Sequence, residues 1–255
     1  MTDPLFEEWR AYEKLVENNY MRHVEFFQLL EAEVKRRFRA PVTILDLGCG
    51  DALPIRNVLK RLEVERYCGV DDSAKALAKA DKNLASLEIP YRLYTGDLLG
   101  VLQRLPEHYD VIVASYSFHH MDTRETKERA LRECLRVLSP TGIVVVIDVF
   151  LRERESREAY LHRWESNARA AFTALNDEEM TTLIDHVWGC DFPESLSTFE
   201  GIAARVGYDR VVSLADDGLN RLVALEASIS GAELRGFEPP APASGGRSPG
   251  SKARP

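Results

Sequence analysis

Cysteine is scarce in this chain, and it has neither long apolar runs nor an excess of basic charge. Its 255 residues include 4 cysteines with no CxxC pair, which is typical of a reducing, cytoplasmic setting rather than a disulfide scaffold. No apolar stretch approaches the roughly 20 residues of a membrane-spanning helix. The N-terminal residues MTDPLFEEWR are acidic and lack the apolar core of a signal peptide.

The charge balance narrows the class of partner. The formal net charge is -8, which argues against a broad surface for nucleic-acid phosphates. Hydrophobic residues make up 45% of the chain and charged residues 29%, ordinary values for a globular domain with its own core. We therefore expect a small-molecule substrate, with no nucleic acid and no membrane as partner. The oligomeric state is left open.

The spacing of apolar residues changes along the chain. Residues 1–40 are predicted to form N-terminal helices, and residues 41–230 one domain in which apolar, β-branched strands alternate with amphipathic helices. That alternation is typical of a parallel sheet covered on both faces. Residues 152–190 interrupt it with charged helices and no strand, and we interpret them as a lid. Residues 231–255, rich in Pro, Gly, Ser and Ala, are predicted to be a disordered tail.

The strongest local signal is the segment LDLGCGDA. A strand reaches Asp46, and Gly48 and Gly50 then make a tight turn where backbone can approach a ligand closely. A dinucleotide fingerprint would need glycine at position 53, where Leu53 stands, so an NAD-linked oxidoreductase is disfavoured. The acids Asp46 and Asp51 suit a ligand with an amino group and a sulfonium better than a pyrophosphate. A plain glycine turn is the alternative.

Acidic residues also end the next two strands. Asp71 lies where an acid can accept hydrogen bonds from ribose hydroxyls, and Asp97 lies where one can accept from an adenine amino group. Ligands of open α/β sheets bind at this carboxyl edge of the strands. Taken singly, Asp72 with Ser73 also fits simple helix capping, and a Gly-Asp pair after a strand also fits a turn.

In order, LDLGCGDA, GVDDS, TGDLL and YDVIVASYSFHHM resemble the successive motifs of class I S-adenosylmethionine-dependent methyltransferases. The resemblance spans roughly residues 42–150. It implies an α/β fold, a Rossmann-like doubly wound sheet of seven mostly parallel strands with a final antiparallel strand. It also implies transfer of a methyl group from S-adenosylmethionine. One departure is Ala52, where many members carry a third glycine.

The resemblance also assigns the cofactor contacts. Asp71 would hold the ribose, and Ser115 would line the site after the fourth strand. The complete set of expected cofactor-binding residues is Asp46, Gly48, Cys49 and Gly50 around the methionine part, Asp71 and Asp72 at the second strand, Asp97 and Leu98 at the adenine, and Ser115.

The segment SFHHM places His119 and His120 just past the fourth strand, beside the expected position of the transferred methyl group. One of them is a candidate to orient or deprotonate the nucleophile, because the pKa of histidine lies near neutrality. Packing or hydrogen bonding in a loop is an equally good interpretation of the pair.

Candidate substrate contacts are Asp148 at the end of the fifth strand, Tyr20 in the N-terminal helices and Arg152 in the insertion. Asp148 as a helix cap and Tyr20 as plain packing are the alternatives. No metal is expected, because a zinc site from His186, Cys190 and Asp191 would match no common spacing.

Two other functions remain compatible with the motifs. One is an enzyme that uses S-adenosylmethionine for another reaction, as carboxy-S-adenosylmethionine synthases do. The other is a non-catalytic protein that binds the cofactor. The acceptor, and whether its O, N, S or C atom is methylated, are not indicated.

Overall fold

The computed structural model describes residues 10–106 and 108–227. The tail predicted for residues 231–255 and the first nine residues of the N-terminal segment lie outside this part of the chain. The strands are β1 (Val42–Leu47), β2 (Val64–Asp71), β3 (Tyr91–Thr95), β4 (Tyr109–Ser115), β5 (Leu138–Val149), β6 (Arg210–Asp216) and β7 (Asn220–Glu226). The helices are α1 (Arg10–Glu17), α2 (His23–Arg37), α3 (Leu53–Leu59), α4 (Ala74–Leu84), α5 (Leu98–Leu102), α6 (Arg124–Arg136), α7 (Arg157–Ala171), α8 (Asp177–Cys190) and α9 (Leu196–Val206).

The strands form a seven-stranded sheet in the order β3-β2-β1-β4-β5-β7-β6. All neighbours from β3 through β5 pair in parallel, whereas β7 runs antiparallel to both β5 and β6. The strand order reverses between β1 and β4, and ligands of doubly wound sheets bind in the crevice at such a reversal. The expected sheet, mostly parallel with a final antiparallel strand, is confirmed.

Side chains of the central strands are buried on both faces of the sheet. In β1, Leu45 and Leu47 pack into one hydrophobic core while Val42 and Ile44 pack into the other. Strands β4 and β5 divide in the same alternating way. This alternation follows from the two-residue period of a strand, and it explains why these strands are apolar at nearly every position.

Helices cover the two faces in separate layers. The face that receives Val42 is covered by α2, α3 and α4, and the opposite face by α5, α6 and α9. Side-chain oxygens at the N-caps of α4, α6, α7, α8 and α9 accept backbone N–H groups of the first turn. Each cap satisfies a donor that the helix itself leaves unpaired.

A third, smaller core lies beyond the carboxyl edge of the sheet. It joins α1 to the inserted helices α7 and α8 through apolar side chains that include Leu15, Leu161 and Leu183. A salt bridge of 2.6 Å between Lys14 and Glu179 also connects α1 to α8. The insertion therefore packs over the strand ends together with the N-terminal helix.

No helix within residues 10–106 and 108–227 is both long and apolar enough to cross a membrane.

Candidate functional site

The turn after β1 requires left-handed backbone at alternate residues. The φ angles of Gly48, Gly50 and Ala52 are 72°, 55° and 55°. A Cβ at Gly48 would lie 2.6 Å from the Cβ of Ser117, which is closer than real Cβ atoms come. Ser117 in turn donates its hydroxyl to the carbonyl of Leu47 at 2.8 Å. Glycine at position 48 therefore lets the turn lie directly against the loop that follows β4.

Asp71, at the end of β2, holds the same turn from the other side. Its carboxylate accepts the N–H of Gly50 at 2.8 Å and the N–H of Ser73 at 2.9 Å. Partial burial raises the pKa of this carboxyl, and the two backbone donors oppose that rise. The side chain is thus positioned at the rim of the turn with acceptor capacity that two N–H groups do not exhaust.

A cavity of about 330 Å³ opens at the carboxyl ends of the central strands, and we call it the strand-end cavity. Of the expected cofactor-binding residues, those that line it are Gly48, Gly50, Asp71, Asp72, Asp97, Leu98 and Ser115. Asp97 also caps α5 by accepting the N–H of Gly100 at 2.6 Å. Residues from four different strand ends therefore meet around one concave space, as the topology requires.

Asp46 and Cys49, the other two expected cofactor contacts, do not line this cavity. Asp46 is 3% exposed and accepts the hydroxyl of Tyr67 at 2.8 Å. Burial raises the pKa of its carboxyl to about 7. The sulfur of Cys49 occupies the space beside Gly69, where a Cβ would come within 2.8 Å of it. Both side chains therefore contact β2, through Tyr67 and Gly69, and support the turn from within the sheet.

Two tyrosines complete the cavity and were not predicted from the sequence. Tyr12 reaches it from α1, and Tyr116 directly follows β4. Tyr116 has a φ of 52°, an unusual conformation for a bulky residue, and its hydroxyl donates to the carbonyl of Met21. Burial raises the pKa of both phenols. Tyr116 has a usable sequence signal, since it is the first residue past a strand end; Tyr12 has none.

A second space, the insertion cavity, has a volume of about 80 Å³. It is lined by side chains of α1, α7 and α8 and by His119, His120, His186 and Asp191. Tyr20 also lines it, stacked on Phe172 with ring centroids 4.6 Å apart. The hydroxyl of Tyr20 accepts the N–H of Ala174 at 2.9 Å, so this side chain also ties the N-terminal segment to the loop between α7 and α8.

The two cavities adjoin each other. Tyr12, Tyr116 and His120 line both of them. His119 lines only the insertion cavity. The histidine pair therefore lies at the boundary between the space at the strand ends and the space under the inserted helices.

His119 lies between two carboxylates. Its Nδ1 contacts Asp148, and its Nε2 lies 3.5 Å from Oδ1 of Asp191. Burial by itself would lower the pKa of His119, but the two negative charges outweigh it and raise the pKa to about 9. The two carboxylates therefore favour a positive charge at this position.

His120 has the opposite electrostatic environment. Burial lowers its pKa well below the ordinary value, and the neighbouring His119 and His186 lower it further. Its Nδ1 lies 3.3 Å from the carbonyl oxygen of Cys190, and its ring centroid lies 5.2 Å from that of His186. His120 is therefore the neutral member of the pair at neutral pH.

Asp148, predicted to contact the substrate, is engaged by groups of the protein itself. Its carboxylate accepts the N–H groups of Phe118 and His119 at 3.0 and 3.1 Å and that of Val149 at 2.8 Å, besides the imidazole of His119. With its acceptor positions taken, Asp148 caps the short 3₁₀ turn Phe118–His120 and orients His119. Arg152, also predicted to contact the substrate, is exposed and lines neither cavity.

The fold and the glycine turn are those of a Rossmann-like protein, a class in which nucleotide cofactors bind at the strand ends. A family model described as a methyltransferase domain matches residues 44–142. An uncharacterized methyltransferase of Geobacillus kaustophilus is 27% identical over 177 residues, covering 69% of this chain and 78% of the relative. Another, from Bacillus cytotoxicus, is 26% identical over 212 residues, covering 81% and 91%.

Among solved structures, the plantazolicin methyltransferase BamL, in complex with a triazolic desmethylPZN analog and SAH, is similar with a TM-score of 0.62. The identity is 16%, over 87% of this chain and 89% of that one, so this likeness concerns the fold. The domain match and the relatives are methyltransferases, and the solved structure shares the fold, so all three support the resemblance to class I S-adenosylmethionine-dependent methyltransferases. The cofactor of this family, S-adenosylmethionine, is the one that the sequence motifs predicted.

Proposed function

We propose that this protein transfers the methyl group of S-adenosylmethionine, bound in the strand-end cavity, to a small molecule bound in the insertion cavity. The observation that carries the proposal is the shared lining of the two cavities by Tyr12, Tyr116 and His120. A methyl group presented at that boundary would face an acceptor on the other side. The sulfonium already activates the methyl group, so the protein mainly has to align the two partners and exclude water.

Within this proposal the cofactor contacts have distinct roles. Asp71 and Asp72 accept from the ribose, Asp97 and Leu98 contact the adenine, and the turn at Gly48 and Gly50 receives the methionine part. The lining of the strand-end cavity by all of these residues supports the assignment. Asp46 acts through its hydrogen bond to Tyr67 and Cys49 through its packing on Gly69, rather than by contact with the cofactor.

The histidine pair would receive the acceptor. His120 lines both cavities and is placed to contact the nucleophilic atom, while His119 lies deeper, between Asp148 and Asp191. Tyr20 contributes a wall of the acceptor pocket, together with Phe172. The volume of about 80 Å³ and the cover formed by α1, α7 and α8 favour a small acceptor over a polymer.

Labelled S-adenosylmethionine tests the proposal. Incubation of the protein with fractionated cell extract is expected to label a small molecule, and the His120→Ala variant is expected to lower that turnover by at least tenfold. His162→Ala, an exposed histidine of α7, serves as the matched control and should retain turnover. Absence of any labelled product across all fractions would contradict methyl transfer. Full turnover in His120→Ala would place the acceptor elsewhere.

A further inference from the structure

Three side chains of metal-ligand type converge at the floor of the insertion cavity. One donor atom each from His119, His120 and Asp191 lies within 4.8 Å of the others. The two histidines follow β4, whereas Asp191 follows α8. Packing of the inserted helices over the strand ends is therefore what completes the cluster.

Asp191 supplies an independent sign that a ligand belongs there. Asp191 is 3% exposed, and its Oδ1 has no hydrogen-bond partner, with Nε2 of His119 facing it at 3.5 Å. Its Oδ2 accepts the hydroxyl of Tyr160 at 3.2 Å, which fixes the direction of the carboxylate. Buried carboxylate oxygens without a partner are unfavourable, so Oδ1 is best explained as an acceptor for a cation or donor in the cavity.

The orientation of His119 has the form seen behind metal-binding histidines. Its Nδ1 is engaged by the carboxylate of Asp148, which in turn is held by backbone N–H groups. Its Nε2 therefore faces Asp191, at 3.5 Å from Oδ1. A carboxylate that holds the rear nitrogen of an imidazole fixes the ring and makes the forward nitrogen a better ligand.

We infer that His119, His120 and Asp191 bind a divalent transition-metal ion of the zinc type in the insertion cavity. Neighbouring ligands of a tetrahedral zinc ion lie about 3.3 Å apart, a separation that His119 and Asp191 already approach. Two imidazoles with one carboxylate favour a transition metal over magnesium or calcium. Sequence spacing did not predict this site, because its third ligand, Asp191, directly follows the insertion and is distant from the histidines in sequence.

Three protein ligands leave at least one coordination position for another group. That position would face the insertion cavity, where an acceptor heteroatom could coordinate beside the transferred methyl group. This role of the ion rests on the proposed function, whereas the binding site itself does not.

Metal binding can be measured directly on the untagged full-length chain. Equilibrium dialysis against Zn²⁺, followed by metal analysis, is expected to retain one ion per chain. The Asp191→Asn and His120→Ala variants should each bind at least tenfold more weakly, and His162→Gln should bind as the unchanged protein does. Co²⁺ in place of Zn²⁺ should give visible absorption that both ligand variants lose, and circular dichroism checks that they are folded.

Two results would overturn the site. One is an unchanged chain that retains no Zn²⁺; the other is retention that Asp191→Asn and His120→Ala leave unaltered. A second pair of measurements tests the proposed function and the metal site independently of each other. Specific metal binding without any methyl transfer would leave the site standing and remove the proposed function. Methyl transfer that survives complete chelation at full rate would leave the function standing and remove the catalytic role of the ion.

Discussion

The strand-end cavity and the insertion cavity touch each other but are built in different ways. The first depends on a glycine turn and on residues at the ends of adjacent parallel strands, such as Gly50 and Asp71, which are joined by a hydrogen bond of 2.8 Å. The second depends on contacts between distant segments, such as His119 with Asp191 and Tyr20 with Ala174. The strand-end cavity is thus a property of the sheet, whereas the insertion cavity is a property of how the insertion packs.

The two regions also differ in the surroundings of their acidic side chains. Asp71, Asp72 and Asp97 lie at the rim of the strand-end cavity, two of them held by backbone N–H groups of nearby loops and helices. At the insertion cavity, His119 lies between Asp191, which also lines the cavity, and Asp148 behind it, and both acids are almost wholly buried. The rim acids can accept further hydrogen bonds from a polar ligand. The buried acids require a cation between them.

The largest effect is expected where the glycine turn meets the loop after β4. Gly48→Ala combines a left-handed backbone with a contact of 2.6 Å to Ser117, so the free energy of unfolding should fall by about 2–5 kcal/mol. Binding of S-adenosylhomocysteine should weaken as well. Urea unfolding and calorimetry measure the two effects. The control is Gly189→Ala in α8, which has open space around it and should change stability by no more than about 1 kcal/mol. Equal behaviour of the two variants would contradict the strained turn.

Separation of the two regions can be tested in the core of the insertion. Leu161 is 1% exposed in α7 and lines neither cavity. Leu161→Ala should lower the free energy of unfolding by about 2–4 kcal/mol because it leaves a void. The affinity for S-adenosylhomocysteine should stay within about twofold under conditions where the variant is folded. A tenfold loss of affinity would show that cofactor binding depends on the insertion.

Acid sensitivity is expected from His23, which packs beside Tyr116 at the edge of the site. Burial lowers the pKa of His23 from 6.5 to about 4. Between these pH values the unfolded chain takes up a proton that the folded chain does not, so stability is full above pH 6.5 and falls towards pH 4. The loss attributable to this residue is about 2–3 kcal/mol. Urea unfolding across this range should give a flatter curve for His23→Phe. Parallel curves would assign the acid loss to other groups.

A smaller effect should distinguish two adjacent acids at the end of β2. Asp71 is tied to the glycine turn and Asp72 is exposed, although both line the strand-end cavity. Asp71→Ala should weaken cofactor binding by about 1.5–3 kcal/mol, or roughly ten- to a hundredfold. Asp72→Ala should weaken it less. Calorimetry with S-adenosylhomocysteine gives both values, and negligible losses at both positions would mean that the ribose lies elsewhere.

The smallest effect is expected at Ala52. Its φ of 55° favours glycine, but its side chain is fully buried and glycine would lose that contact and gain chain entropy when unfolded. These contributions oppose each other, so Ala52→Gly should change the free energy of unfolding by less than about 1 kcal/mol and leave cofactor affinity unaltered. Strong destabilisation in urea would show that the methyl group is needed for packing beneath the turn.

The sequence predicted the sheet and most of the strand-end cavity, because both follow from local patterns. Apolar runs marked the strands, and acids or glycines at or just after their ends marked the carboxyl edge, as at Gly48, Asp71 and Asp97. The same logic predicted a substrate contact for Asp148 from its position at a strand end, but Asp148 does not line the strand-end cavity. Backbone N–H groups of the turn that follows β4 occupy the acceptor positions of its carboxylate. A strand pattern carries no information about that turn.

By itself, the sequence determined the alternation of buried strands, the glycine turn and the order of acids along the sheet edge, since each depends on neighbours close in the chain. Only the tertiary structure decided which histidine faces which partner. His119 and His120 are adjacent in sequence, yet Asp148 and Asp191 surround the first while His186 and Cys190 lie beside the second. Burial and charge from elements up to about 70 residues away set those environments. Such distances are closed only when the insertion packs onto the sheet.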